Sequence, residues 1–279
     1  ADEVARAEAN ARRLGWEPIV GRHALAHADY FAGSDAQRLD DLNAALHDPR
    51  VDAIWCLRGG YGAMRLLPDI DYAALARRPR ALVGYSDVTA LHCAVAARVP
   101  GLVTFHGPTA RAALTPFTEG SLARALTHAG DPAGEAPGAR PLRPGQAAGR
   151  LAGGNLALLA ALAGTPYAPV FDGAIVVLED VGEATYRVDR MLRQLWLAGA
   201  FAGCRGIAFG HCTACPERCD DDGRRSLAAV VGELAEALDV PAVLGVPVGH
   251  IADQWTGPLG AWGELDAGRP ALRVVDWGA

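Results

Sequence analysis

Hydrophobic and polar positions along the chain follow two periods in turn. Residues 2–14 (DEVARAEANARRL) carry a helical pattern, and residues 35–47 carry another, opened by Ser34 and Asp35 as capping residues. Between and after them stand apolar runs of strand length: EPIV (17–20), AIWCL (53–57), ALVGY (81–85) and LVTF (102–105). Further helices are expected near 72–77 and over 87–98. Strands alternating with helices predict a mostly parallel sheet covered on both faces.

Residues 131–149 (DPAGEAPGARPLRPGQAAG) break this pattern. They are rich in Pro, Gly and Ala without apolar periodicity, and they read as an interdomain linker. Beyond them Gly153-Gly154-Asn155 opens a helix to about Leu162, and AIVVLED (174–180) follows as a strand. A helix over 187–198, the strand GIAFG (206–210), a helix over 224–238, the run AVLGVPVGH (242–250) and a β-rich tail near 259–275 complete the series. No internal repeat is present. The pattern predicts an α/β domain over 1–130, the linker over 131–149 and a second β/α domain over 150–279, with a cleft between the two.

Composition narrows the function. The chain has 279 residues and is 51% hydrophobic, enough for a sizeable core, with no apolar run of the ~18–20 residues that span a bilayer. A net charge of −6 and the absence of a basic cluster argue against nucleic acid or an anionic membrane as partner. All 26 basic residues are arginine, so there is no P-loop lysine, Schiff base or Ser–Lys dyad. Three of the six cysteines, Cys56, Cys93 and Cys204, lie in segments that read as buried, as reduced core thiols of a cytosolic protein do. No signal peptide is visible, although the chain opens at Ala1 without a methionine.

Four places could carry chemistry. Ser86, in Gly84-Tyr85-Ser86-Asp87, stands between a strand and a helix, beside free N–H groups; the same position suits a plain N-cap. The backbone N–H of Asp87 could serve an oxyanion there. Arg58-Gly59-Gly60-Tyr61-Gly62 ends another strand, where its amides can approach a ligand closely. Glu179 closes the AIVVL run as a carboxylate that could orient an imidazole, with Asp180 and Glu183 as rivals. His250 follows a strand and a glycine, where a sheet presents a base, and His106 ends a strand facing the same cleft. His23, His27, His47 and His128 have no partner in view, and His92 reads as packing. A fifth segment, His211-Cys212 with Cys215, Cys219 and three aspartates from Asp220 to Asp222, could supply zinc ligands, but it lacks a second Cys-x-x-Cys. It reads instead as an acidic loop near the cleft.

Taken together these segments resemble the serine LD-carboxypeptidases, a family that includes murein tetrapeptide carboxypeptidases and microcin C immunity peptidases. The resemblance rests on Arg58–Gly62, Gly84–Asp87, His106-Gly107-Pro108, Gly153–Leu156, Gly164-Thr165-Pro166, Leu178-Glu179-Asp180, Tyr186–Arg190, and Gly249-His250 with Pro258-Leu259-Gly260, all in the family's order. It implies a flavodoxin-like N-terminal domain, a smaller swivelling β/α C-terminal domain and a homodimer. It also implies a triad of Ser86, Glu179 and His250, oxyanion donors at Asp87 and Gly60 in preference to Gly59, substrate contacts from Arg58, Tyr85 and His106, and no metal or cofactor. The implied substrate is a muropeptide tetrapeptide, cut between the L-centre of meso-diaminopimelate and terminal D-alanine in the cytoplasm. A peptidyl-nucleotide is the alternative, which a tryptophan such as Trp196 or Trp255 at the cleft would favour. A non-catalytic flavodoxin-like module that binds phosphate on the Arg58–Gly62 loop is the reading from another class. The family's first strand, ending in a Pro-Ser-Gly-like turn, would precede Ala1.

Overall fold

The computed structural model of the chain describes residues 2–215 and 225–277. The N-terminal half builds a four-stranded sheet in the order β1 (Ala53–Trp55), β2 (Ala81–Gly84), β3 (Thr104–His106) and β10 (Gly257–Leu259). The first three strands run parallel, and β10, from the last tenth of the chain, closes the edge antiparallel to β3. Around this sheet lie α1 (Asp2–Arg13), α2 (Asp35–His47), α3 (Tyr72–Arg77), α4 (Thr89–Arg98) and α5 (Pro116–Thr127). Helix α2 begins as its sequence predicts: Ser34 and Gln37 exchange the two bonds of a capping box.

The larger sheet has eight strands. Its centre is parallel: β6 (Gln146–Asn155), β7 (Ala174–Val181), β8 (Gly206–Thr213) and β9 (Ala242–Leu244). Antiparallel strands flank it, with β11 (Trp262–Asp266), β12 (Ala271–Asp276) and β4 (Gly134–Glu135) on one side and β5 (Arg140–Arg143) on the other. Helices α6 (Leu156–Leu162), α7 (Thr185–Leu197) and α8 (Leu227–Leu238) share one apolar core with α4 and the outer face of the first sheet. A second core on the other face packs Ile175, Val177, Val243 and Trp255 against β11 and β12. Strand β7 carries seven consecutive buried residues, as expected of a central parallel strand covered on both faces.

Several expectations need correction. EPIV forms no strand, and residues 131–149 contribute β4, β5 and the start of β6 to the larger sheet. Apolar periodicity is weak there because β4 and β5 are the two edge strands of that sheet, where prolines and glycines are tolerated. Only Ala242–Leu244 of the run to His250 is a strand. No helix among the described residues is long and apolar enough to cross a membrane.

Candidate active site

Two strand ends and two loops build the site. Strand β2 ends at Gly84, and the chain then turns through Ser86, whose φ is +64°. That is the left-handed region, strained for a residue with a side chain, and it lifts the serine out of the strand as a nucleophile turn does. The plain N-cap reading does not hold: the turn is a single 3₁₀ turn over Ser86–Val88 capped by Tyr85, and the Ser86 side chain makes no capping bond. Helix α4 then starts at Thr89.

The glycine-rich loop after β1 packs directly on this turn. A Cβ placed on Gly59 would lie 2.9 Å from Ser86 Cβ and 3.1 Å from Ser86 Oγ, so only glycine fits. The carboxyl of buried Asp87 accepts from the Ala63 backbone N–H at 2.8 Å and so ties the loop to the nucleophile turn. Burial raises the Asp87 pKa, against the lowering effect of the Ala63 and Gly62 amides. Asp87 thus has a side-chain task besides the backbone N–H singled out in the sequence.

Glu179, at the carboxyl end of β7, is fully buried, and its Oε2 lies 2.8 Å from His250 Nδ1. A carboxylate against Nδ1 holds the ring proton on that nitrogen and leaves Nε2 to act as base. The other oxygen, Oε1, accepts from the Asn155 side-chain amide at 3.1 Å. The same amide reaches Asp180 Oδ1 at 3.1 Å, beside an irregularity in the β7–β8 register between Leu178 and Asp180. Asp180 does not meet His250; it accepts from the Ala157 and Val181 amides, and burial pushes its pKa up to about 6. Glu183 pairs with Arg187 instead. Of the three rival carboxylates, only Glu179 contacts the imidazole. Gly249 permits this approach, since a Cβ there would crowd His211 O at 3.0 Å and Glu179 Cβ at 3.3 Å.

The two halves meet at Tyr85 and Thr89. The Tyr85 ring lies 4.8 Å from the His250 ring and 6.0 Å, edge-on, from that of His106. Burial raises the Tyr85 pKa. Thr89 Oγ1 accepts from the Asn155 backbone N–H at 2.9 Å, linking the helix after Ser86 to the support of Glu179. Ser86 and His250 share no direct hydrogen bond; the His250 ring is bonded to Glu179 through Nδ1. His106 is buried, its pKa lowered by desolvation, and neither ring nitrogen has a protein partner. His92 Nε2 donates to Gly84 O, 2.9 Å away, and burial lowers its pKa to about 3, consistent with packing. Arg58 is exposed on the glycine-rich loop.

The zinc-ligand alternative loses two of its members, because Cys212 and Cys215 are joined in a disulfide. Cys219 and Asp220–Asp222 lie outside the described residues. Cys56, Cys93 and Cys204 are free thiols. Sequence reasoning gave Asn155 no role, though its bond to Glu179 makes it part of the site. The only signal was its place after Gly153-Gly154, closing a strand beside β7.

Comparison with known proteins bears on the family and the fold. Residues 1–107 match the LD-carboxypeptidase N-terminal domain and residues 148–265 the LD-carboxypeptidase C-terminal domain. A putative carboxypeptidase of Streptomyces coelicolor is 42% identical over 93% of this chain and 85% of its own length. The murein tetrapeptide carboxypeptidase of Pseudomonas aeruginosa is 38% identical over 94% and 89%. The crystal structure of a muramoyltetrapeptide carboxypeptidase from Oxalobacter formigenes superposes with a TM-score of 0.86 at 32% identity, covering 99% of this chain and 95% of that one. Kinship over both halves of the chain, on a fold shared almost end to end, means that the protein belongs to the LD-carboxypeptidase family.

Proposed function

We propose that the protein is a serine LD-carboxypeptidase that removes terminal D-alanine from muropeptide tetrapeptides. The observation that carries this reading is the fully buried Glu179 bonded to His250 beside a serine held in left-handed backbone. Ser86 Oγ attacks the carbonyl of the L-centre, passing its proton to His250 Nε2. Glu179 accepts from Nδ1 and stabilises the imidazolium that forms. The developing oxyanion takes hydrogen bonds from the backbone amides of Asp87 and Gly60. His250 returns the proton to the leaving D-alanine amine, then activates a water that frees the acyl group from Ser86. Peptide, serine, imidazole and backbone donors complete this chemistry without a further group.

A peptidyl-nucleotide substrate finds less support. Trp255 is 2% exposed within the second core, and Trp196 is half-buried with the Arg193 guanidinium 4.4 Å over its ring. Trp255 thus offers no open face to a nucleobase, and one face of Trp196 is already taken by Arg193. The test incubates the protein with an L-Ala-D-Glu-meso-diaminopimelate-D-Ala tetrapeptide and, separately, with a peptidyl-adenylate analogue, and identifies products by mass spectrometry. Release of D-alanine from the tetrapeptide is the expected result; cleavage of the nucleotide conjugate alone would replace this reading with the other.

A further inference from the structure

Among the described residues Arg58 is a cation with no carboxylate to neutralise it. It is exposed, and it has no carboxylate, carbonyl or aromatic partner among the described residues. Other arginines around this loop are committed. Arg38 and Arg65 both bind Asp35 and lie over the Phe31 ring, and Arg111 binds Glu3. Although exposed, the Arg58 side chain lies along its own loop. Its Nε and Nη2 each lie 3.7 Å from where a Cβ on Gly60 would stand, and the adjoining Gly59 is packed against Ser86. An unpaired guanidinium is therefore held within a residue or two of the nucleophile.

We propose that Arg58 binds the free α-carboxylate of the substrate's C-terminal residue, and so makes the site specific for the chain end. The proposal rests on the carboxypeptidase reading above. In any substrate of an enzyme that removes one terminal residue, only the amide nitrogen and one Cα separate the scissile carbonyl carbon from the terminal carboxylate carbon. Three bonds of about 1.3–1.5 Å put that carboxylate within about 4 Å of the carbon under attack. A group that recognises it must stand beside the oxyanion position, and Arg58 does. A guanidinium suits the task because its planar fork bonds both carboxylate oxygens at once. An internal peptide bond offers no such anion, and its continuing chain would meet the guanidinium instead.

A second carboxylate is available in the same substrate, on the side chain of diaminopimelate, so the experiment separates the two. Three tetrapeptides are compared: one ending in D-alanine acid, one ending in D-alanine amide, and one ending in the acid but with L-lysine in place of diaminopimelate. Each is assayed with the wild type, Arg58→Ala and Arg58→Lys, after thermal unfolding has shown that the variants fold. Arg58→Ala should lower kcat/KM on both acids by about 10- to 150-fold, the range of a lost charge-assisted hydrogen bond. The amide, poor for the wild type, should be nearly unaffected, and Arg58→Lys should recover part of the loss. Equal losses on acid and amide would overturn the proposal, as would a loss that disappears with the lysine peptide. A wild type that releases the terminal residue from none of the three overturns the peptidase reading itself, and this outcome is distinct from the other two.

Discussion

The two halves of the candidate site are held by different physics. On the nucleophile side the work is done by backbone: a serine at φ +64°, a glycine too close to Ser86 to carry a side chain, and a loop clipped by Asp87. On the acid–base side it is done by side chains buried among one another, with Asn155 bonded to Glu179 and Glu179 to His250. A backbone-held site tolerates no added atom, whereas a network of buried polar groups tolerates no missing partner. The contrast predicts which changes abolish turnover and which unsettle the fold.

The largest effect should come from Ser86→Ala, on the order of 10⁶ in kcat, the scale for a triad nucleophile. Because the strain lies in the backbone, Ser86→Gly should also be inactive but about 1 kcal/mol more stable than Ser86→Ala. Near-wild-type tetrapeptide hydrolysis by either variant would break the nucleophile assignment. Next comes Glu179→Gln, with a loss of about 10⁴ in kcat if the carboxylate supports an imidazolium. Glu183→Gln should stay near wild type, since Glu183 is engaged with Arg187. Full activity in Glu179→Gln together with loss in Asp180→Asn would move the carboxylate role to Asp180.

Gly59→Ala tests the backbone side by addition. The new methyl would overlap Ser86, and a displacement of about 1 Å at a reacting atom costs about 10² in rate. Steady-state kinetics should show the fall mainly in kcat; a variant as active as wild type would mean that the loop yields freely.

The smallest effect sharpens the side-chain half. Asp180 has its pKa raised to about 6 by burial, so the folded protein keeps a proton that the unfolded chain has lost. Between about pH 4 and 6 the folded state binds more protons, so stability falls as pH rises through that window, by about 3 kcal/mol from this group. Asp180→Asn should flatten that slope in urea unfolding measured from pH 4 to 7. An unchanged slope would show that another group sets it.

The same contrast explains what could be read from sequence. Ser86, Glu179 and His250 each close or follow a strand, and strand ends are recognisable from apolar runs and glycines. Asn155 and the side chain of Asp87 act through contacts made 24 residues away in each case, and no local pattern reports these. Alternation along a strand puts Glu179 and Asp180 on opposite faces, and only Glu179 meets the imidazole. Alternation alone gives no place to Asn155, which is paired with Glu179 on the neighbouring strand and whose one amide reaches both carboxyls. Helix α5 is not among the elements expected from sequence, although Thr115 and Pro116 give it a cap and a proline start. Strand β10 is three residues long with a proline at its centre, too short for any periodicity to show.

That short strand ties the timetable of synthesis to activity. Since β10 pairs with β3, the sheet that positions Ser86 stays unfinished until the ribosome has made and released residues 257–259. Until then β3, which ends at His106, has an open edge able to pair with another chain. A chain that stops before residue 257 would lack the edge that backs its nucleophile even though it already contains Ser86, Glu179 and His250, so premature termination should leave no active fragment behind.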